Sequence, residues 1–293
     1  DIGRRRRILT AAGAAGLASM VTQLVLMREL AAAFGGNELV FAVLLGNWLL
    51  LTGLGAALGR LAARLRRTVI LLVLAQLVLA LFPPMAIVAV RLGRDWVFLR
   101  GEAVGVVGVF AMSFVVFCLA NGGLLTLACG LAGRSAEPAA VGRVYTANSL
   151  GDVIGGLAFT FLMIPLLDHF EGVYVSGVAN AVMAGVVAWG FGVRRLALPA
   201  AAAGALLVAA GLAVDLDRLS TRWQYPGREV VYHSQSPFGR LVVLESGRQF
   251  DFIENGLPLF STGPTARAEE TVHYALAQRV TARRVLLLSG GLS

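Results

Sequence analysis

Thr68-Val69-Ile70-Leu71-Leu72-Val73-Leu74-Ala75-Gln76-Leu77-Val78-Leu79-Ala80-Leu81-Phe82-Pro83-Pro84-Met85-Ala86-Ile87-Val88-Ala89-Val90-Arg91 carries no charged side chain before its final arginine. Such a run exceeds the ~20 residues that a helix needs to cross the hydrocarbon core of a bilayer. Comparable apolar stretches occupy residues 8–30, 38–61, 103–132, 144–167, 172–193 and 196–214. The whole chain of 293 residues is 57% hydrophobic and 14% charged, with mean hydropathy +0.76. A soluble fold of this size cannot cover that much apolar surface, so the composition places the chain in the membrane class. The predicted fold is an α-helical membrane bundle of about seven transmembrane helices over residues 1–215.

The first stretch is not a signal peptide. It is too long and runs into Met27-Arg28-Glu29-Leu30 without a small-residue cleavage site. The chain opens at Asp1 rather than Met, which predicts a trimmed N-terminus. Arginines in the short loops set the orientation. Arg4, Arg5, Arg6, Arg7, Arg60, Arg64, Arg66, Arg67, Arg134, Arg143, Arg194 and Arg195 fall on one side, against Arg28, Arg91, Arg94 and Arg100 on the other. Twelve against four puts the N-terminus in the cytoplasm, and seven spans then put the segment after Asp215 on the outer side. The fourth stretch has room for a re-entrant turn at Asn121-Gly122-Gly123, which would reverse that side. The net charge of +8 belongs to these flanking arginines. Aromatics interleaved with a basic stripe, the mark of nucleic-acid binding, do not occur.

From Arg218 the pattern changes. Glu229–Ser234, Arg240–Ser246, Gln249–Glu254 and Leu257–Phe260 read as short strands divided by turn residues, among them Asn255-Gly256. Ala266–Arg279 reads as a helix with Thr265 as N-cap. Arg284-Val285-Leu286-Leu287-Leu288-Ser289-Gly290-Gly291 then reads as a strand opening into a glycine turn, the usual start of a nucleotide-binding α/β domain. Three parts are expected: the helical bundle over 1–215, a β-stranded domain over 216–282, and over 283–293 the first strand of an incomplete Rossmann-like domain. A lone parallel strand cannot satisfy its backbone groups, so that domain is expected to be cut off after Ser293.

Polar groups at membrane depth are the first functional candidates, because they are costly in hydrocarbon. Asp152 and Asn148 lie in a small-residue stretch, Asn148-Ser149-Leu150-Gly151-Asp152-Val153-Ile154-Gly155-Gly156, and Arg28 with Glu29 ends the first span. Gln23, Asn47, Gln76, Asn121 and Asn180 join them. A polar pocket or ion path between helices and simple interhelical hydrogen bonding both fit these residues. Gly55-x-x-x-Gly59 and Gly151-x-x-x-Gly155 suit close helix packing. Cys118 and Cys129 lie eleven residues apart on one helix, roughly 16 Å at helical rise, too far for a disulfide. No spacing of cysteines and histidines indicates a metal.

Ser236-Pro237-Phe238-Gly239-Arg240-Leu241-Val242-Val243, Glu254-Asn255-Gly256, Glu269-Glu270-Thr271-Val272-His273 and the Arg284–Gly291 segment resemble the N-terminal part of spermidine synthases. Arg28-Glu29-Leu30 with Phe34-Gly35-Gly36, and Gly142-Arg143-Val144-Tyr145-Thr146-Ala147-Asn148-Ser149-Leu150-Gly151, are similar to the fused, multi-span members of that family. The resemblance implies an aminopropyl or related transferase using decarboxylated S-adenosylmethionine or a related adenosyl cofactor. It implies that Gly290 and Gly291 approach the cofactor, that Glu269 shapes the substrate mouth, and that the catalytic base lies beyond Ser293, so these residues alone bind no cofactor and are inactive. It also implies an integral protein of a bacterial plasma membrane, with the bilayer and membrane-protein or self-association partners.

The departures bear on substrate. Arg228 stands where the soluble enzymes have a glutamine, and Arg267-Ala268-Glu269 where they have Tyr-His-Glu. Ser289-Gly290-Gly291-Leu292-Ser293 lacks the first Gly, the Asp and the last Gly of the family's cofactor turn. Two arginines at amine-facing positions argue against putrescine as the substrate. The alternative is a non-catalytic scaffold, complex subunit or transporter-like protein that works through its bundle.

Overall fold

The computed structural model describes residues 2–33, 38–65, 67–100, 102–134, 139–236, 238–263, 265–278 and 284. The helices run α1 (Ile2–Ala33), α2 (Glu38–Ala62), α3 (Thr68–Arg100), α4 (Glu102–Ala132) and α5 (Ala140–Ala158). A π-turn (Phe159–Met163) joins α5 to a short end piece, α6 (Ile164–Leu166), followed by α7 (His169–Gly190), α8 (Ala197–Ala213) and α9 (Leu216–Gln224). Strands β1 (Glu229–Gln235), β2 (Arg240–Ser246), β3 (Gln249–Glu254) and β4 (Leu257–Ser261) precede α10 (Thr265–Ala277). Among the described residues, seven helical stretches are long and apolar enough to cross a membrane. Their outer faces leave Leu49, Leu54, Leu58, Leu206 and Leu212 exposed, a surface that hydrocarbon solvates better than water.

Close helix packing rests on glycine. A Cβ at Gly155 of α5 would stand 2.6 Å from the Leu17 carbonyl oxygen of α1, and one at Gly177 of α7 would stand 2.6 Å from the Ala80 carbonyl oxygen of α3. At Asn121-Gly122-Gly123 the chain does not re-enter: α4 is helical throughout. The glycines there serve contact with α2 instead, since a Cβ at Gly59 would come within 2.8 Å of the Gly123 Cα. Asn121 is satisfied by donating to Ser19 Oγ of α1 at 2.8 Å.

The sixth of these apolar helices, α7, begins at His169, ahead of the apolar stretch that starts at residue 172. A capping box explains the extra turn. Asp168 Oδ1 accepts from Glu171 N at 2.7 Å, and Glu171 Oε2 accepts from Asp168 N at 2.9 Å. Just upstream, Pro165 cannot donate to the Phe161 carbonyl and its ring would strike it in a regular helix. The chain widens into the π-turn immediately before that proline.

The four strands form an antiparallel meander in the order β1-β2-β3-β4. Asn255 (φ 48°) and Gly256 (φ 77°) turn β3 into β4, the left-handed pair that a two-residue hairpin requires. The Asn255 side chain also accepts from Arg240 N at 3.0 Å, tying the turn to β2. Val230, Val242, Leu244 and Ile253 form the core of the sheet, with Tyr225 packed against them. Helix α10 opens at Thr265 itself, so that residue lies in the first turn rather than at the cap.

Helix α9 has no counterpart among the sequence-derived elements. Asp215 caps it by accepting from Arg218 N at 2.8 Å, and it packs against α3 and β1. Its buried positions are Asp217, Ser220, Thr221 and Gln224. The helix is inside out, with a polar stripe facing the protein.

Candidate functional site

That stripe completes a buried ionic network at the end of the bundle where α1 and α3 finish and α7 begins. Arg91 of α3 and Glu29 of α1 are each only 1% exposed. Arg91 grips Glu29 with two nitrogens, Nη2 to Oε1 at 2.5 Å and Nε to Oε2 at 3.0 Å. The two-pronged geometry is what makes a guanidinium the suitable cation for a buried carboxylate. The rest of Arg91 is spent on α9: Nη2 meets Asp217 Oδ1 at 2.6 Å, and Nη1 donates to Ser220 Oγ at 2.7 Å and to the Asp217 carbonyl at 3.1 Å. Its guanidinium lies 5.1 Å from the centre of the Phe170 ring.

His169, the first residue of α7, shares Glu29. Its Nδ1 lies 2.6 Å from Glu29 Oε1, while Arg28 Nε donates to its Nε2 at 3.2 Å. A guanidinium has no lone pair to offer, so Nε2 must be the accepting nitrogen and Nδ1 carries the proton that goes to Glu29. His169 therefore bridges a cation, Arg28, and an anion, Glu29.

The meander enters the same network. Gln235 of β1 accepts from His169 N at 3.1 Å and donates to Asp217 Oδ1 at 3.0 Å. His233 Nε2 stands 3.3 Å from Asp217 Oδ2. Arg240 of β2 donates to Gln224 Oε1 at 3.0 Å and to Thr221 Oγ1, and its Nη1 is 3.9 Å from Glu29 Oε2. Burial and the nearby charge of Arg91 push the Arg240 guanidinium down from its ordinary value. At the rim, Arg28 Nη2 donates to the Ser236 carbonyl at 2.6 Å. Glu29 and Asp217 balance Arg91 and Arg240, so the buried centre is close to neutral.

Comparison with known proteins bears on the same arrangement. A polyamine aminopropyltransferase of Mycobacterium tuberculosis (strain CDC 1551 / Oshkosh) is 28% identical over 98% of this chain and 56% of its own length. Polyamine aminopropyltransferase 2 of Aquifex aeolicus is 24% identical over 94% of this chain and 55% of its own length. Polyamine aminopropyltransferase of Corynebacterium efficiens is 32% identical over 52% of this chain and 30% of its own length. The chain is similar to polyamine aminopropyltransferases along nearly its whole length. It spans about half the length of the relatives it matches end to end. No family model and no solved structure matches it.

Of the residues singled out in the sequence, Arg28 and Glu29 enter the junction network. Asn148 and Asp152 do not. They form a local pair on α5, Asn148 Nδ2 donating to Asp152 Oδ2 at 3.0 Å, where α5 packs on α1. Glu269 stands exposed on α10, while Gly290 and Gly291 lie outside the described residues. Arg228 reaches across the sheet to Asp251 at 3.3 Å, and Asp251 also accepts from Ser261 at 2.5 Å and Gln249 at 2.7 Å. Those hydrogen bonds, with the Arg228 charge, hold the Asp251 carboxyl below its usual range. Sequence reasoning missed His169, Asp217 and Arg240. The available signal was a second charged residue, Arg91, ending an apolar span opposite Glu29.

Proposed function

We propose that this chain forms the membrane-spanning and β-meander part of a spermidine synthase-like transferase. Such a protein moves an aminopropyl group from decarboxylated S-adenosylmethionine, or a related adenosyl cofactor, to an amine. The observation that carries the reading is the reach of the likeness: relatives named polyamine aminopropyltransferase match 98% of the chain, bundle included. In this reading the seven apolar helices sit in a bacterial plasma membrane. The junction network holds the meander rigidly at the bundle's end. Gly290 and Gly291 approach the cofactor and Glu269 borders the substrate mouth. The catalytic base belongs to the segment that follows the glycine turn in the family, so the 293 residues alone turn nothing over. The charge of Arg228 is met by Asp251 rather than left to repel an amine.

The test is aminopropyl transfer from decarboxylated S-adenosylmethionine to a panel of amines. It compares a protein carrying the full length of the relatives with the 293 residues alone. Turnover in the first and none in the second is expected. No adenosyl-cofactor binding by the longer protein at millimolar ligand sinks the transferase reading.

A second reading has its own support. The arginine-rich loops gather at the opposite end from the meander, where Arg7 donates to the Gly190 carbonyl at 3.0 Å and Arg134 to the Ala63 carbonyl at 3.2 Å. If that end is cytoplasmic, the meander faces away from the compartment that makes adenosyl cofactors, which favours a non-catalytic scaffold or transporter-like role. Labelling a cysteine introduced at Gly247 from each side of the membrane decides between the two orientations.

A further inference from the structure

On the outer face of the bundle, a groove of about 550 Å³ opens between the antiparallel helices α7 and α8. Its bed is formed by Ala181 and Ala200, each 1% exposed, and its sides by Val182, Val186 and Val208, which stand exposed. Along α7 the lining runs from Val178 to Trp189, and along α8 from Val208 back to Ala197. Each of those stretches rises about 16 Å, roughly half of the ~30 Å hydrocarbon core of a bilayer. The groove is therefore as long as one leaflet is deep, and it starts at the arginine-rich end of the bundle.

The mouth at that end is basic. Arg7 of α1 lines it and donates to the Gly190 carbonyl, at the C-terminus of α7, at 3.0 Å. Gly190 makes room for that seat, because a Cβ there would overlap the Arg7 guanidinium. The Arg194 guanidinium lies 4.8 Å from the centre of the Trp189 ring, which also lines the groove, and that of Arg4 lies 5.8 Å from the centre of the Phe191 ring. Among the described residues neither Arg7 nor Arg194 has a carboxylate partner, and the described loop residues at this end include no aspartate or glutamate. Arg7 commits one nitrogen to Gly190, while a guanidinium carries five N–H donors in a fork that suits phosphate oxygens. An apolar slot of one-leaflet length with unmatched cations and a tryptophan at its mouth has the chemistry of a lipid with an anionic headgroup. A second copy of the chain fits less well, since in the same orientation it would bring its own arginines to the same end.

We propose that the groove between α7 and α8 holds one acyl chain of an anionic phospholipid, with the phosphate on Arg7 and Arg194. The assignment rests on the membrane placement given above and is independent of the transferase chemistry.

The test reconstitutes the 293-residue chain in nanodiscs of equal phosphatidylglycerol and phosphatidylcholine with the same acyl chains. The protein is re-extracted in mild detergent and its retained lipid read by native mass spectrometry. One phosphatidylglycerol per chain, retained about tenfold or more over phosphatidylcholine, is expected. Arg7→Gln with Arg194→Gln should abolish the preference. Arg194→Gln alone, at an exposed position, should lower it severalfold without touching the bond to Gly190. Arg60→Gln with Arg64→Gln removes the same charge from α2 and the turn after it, and should leave the preference in place. Ala201→Phe fills the groove from an exposed lining position and should lose the lipid while every arginine remains. Equal loss in the two arginine pairs, equal retention of both lipids, or a dimer that Ala201→Phe dissociates overturns the proposal, the last by making a second copy the occupant. A chain that does not enter nanodiscs refutes the membrane placement and the proposal with it. One that enters without lipid selectivity refutes the proposal alone.

Discussion

Glu29→Gln isolates what the junction network contributes. The change keeps the side chain's volume and one acceptor but removes the charge that Arg91 holds at 2.5 and 3.0 Å, that His169 meets at 2.6 Å and that Arg240 meets at 3.9 Å. Two guanidiniums then share one carboxylate, Asp217, in a buried space. A unit charge pair about 4 Å apart is worth about 4 kcal/mol at an effective dielectric of 20. Removing one partner of a buried pair typically costs about 3–5 kcal/mol. The two figures agree. At about 1.4 kcal/mol per tenfold, the docked meander should open some 10² to 10⁴ times more often. Hydrogen–deuterium exchange in detergent reads this directly, as faster exchange in α9 and β1 while α2 and α4 stay protected. Adding Arg91→Met to Glu29→Gln should recover part of the loss, because the uncompensated cation goes with its partner. If α9 and β1 in Glu29→Gln exchange within a range equivalent to about 0.5 kcal/mol of the parent, the value of an ordinary surface substitution, the network does not hold the junction and the reasoning fails.

Gly155→Ala should destabilise the α1–α5 contact, since its Cβ would stand 2.6 Å from the Leu17 carbonyl oxygen; a loss of about 1–3 kcal/mol would show as a lower Tm by thiol labelling of the buried Cys118. Asn255→Ala should loosen the meander by about 1–2 kcal/mol, through the left-handed φ and the lost bond to Arg240 N, read by exchange in β3 and β4. Asp168 gives a pH test. Burial raises its pKa, and the charges of Asp217 and Glu171 add to that, against the pull of the Glu171 and Phe170 N–H groups. The folded form therefore holds the proton more tightly than the unfolded one, so stability falls as pH rises from the unfolded value through the raised folded value. Asp168→Asn keeps the cap acceptor and should flatten that fall while stabilising the protein at neutral pH, as thermal melts across pH 4–8 would show.

Much of the architecture is legible in the residues because one rule dominates it. Apolar runs of bilayer length become helices, and alternation with Asn-Gly at the last turn becomes a hairpin. The boundaries that shifted did so for local polar reasons: the Asp168–Glu171 capping box lengthens α7, and Pro165 provokes a π-turn. Asn121-Gly122-Gly123 resembles a break only while α4 is considered alone; against α2, the missing side chains are what permit contact. Helix α9 escaped because its buried stripe is Asp217, Ser220, Thr221 and Gln224. Periodicity searches look for apolar residues facing inward, and here the inward face is polar because it meets Arg91 and Arg240. The network was half visible. Arg28 and Glu29 stand out at the end of a span, but pairing Glu29 with Arg91, His169 and Arg240 needs three-dimensional convergence across sequence separations of 62 and 140 residues for the first two.

The ionic character of the network also governs how the meander docks. An apolar junction would hold the meander in many orientations, since one greasy contact resembles another. An ionic one is satisfied only when α1, α3, α7, α9 and the meander arrive together, because each of Arg91, Glu29 and Asp217 has partners on more than one element. Docking is then close to all-or-none.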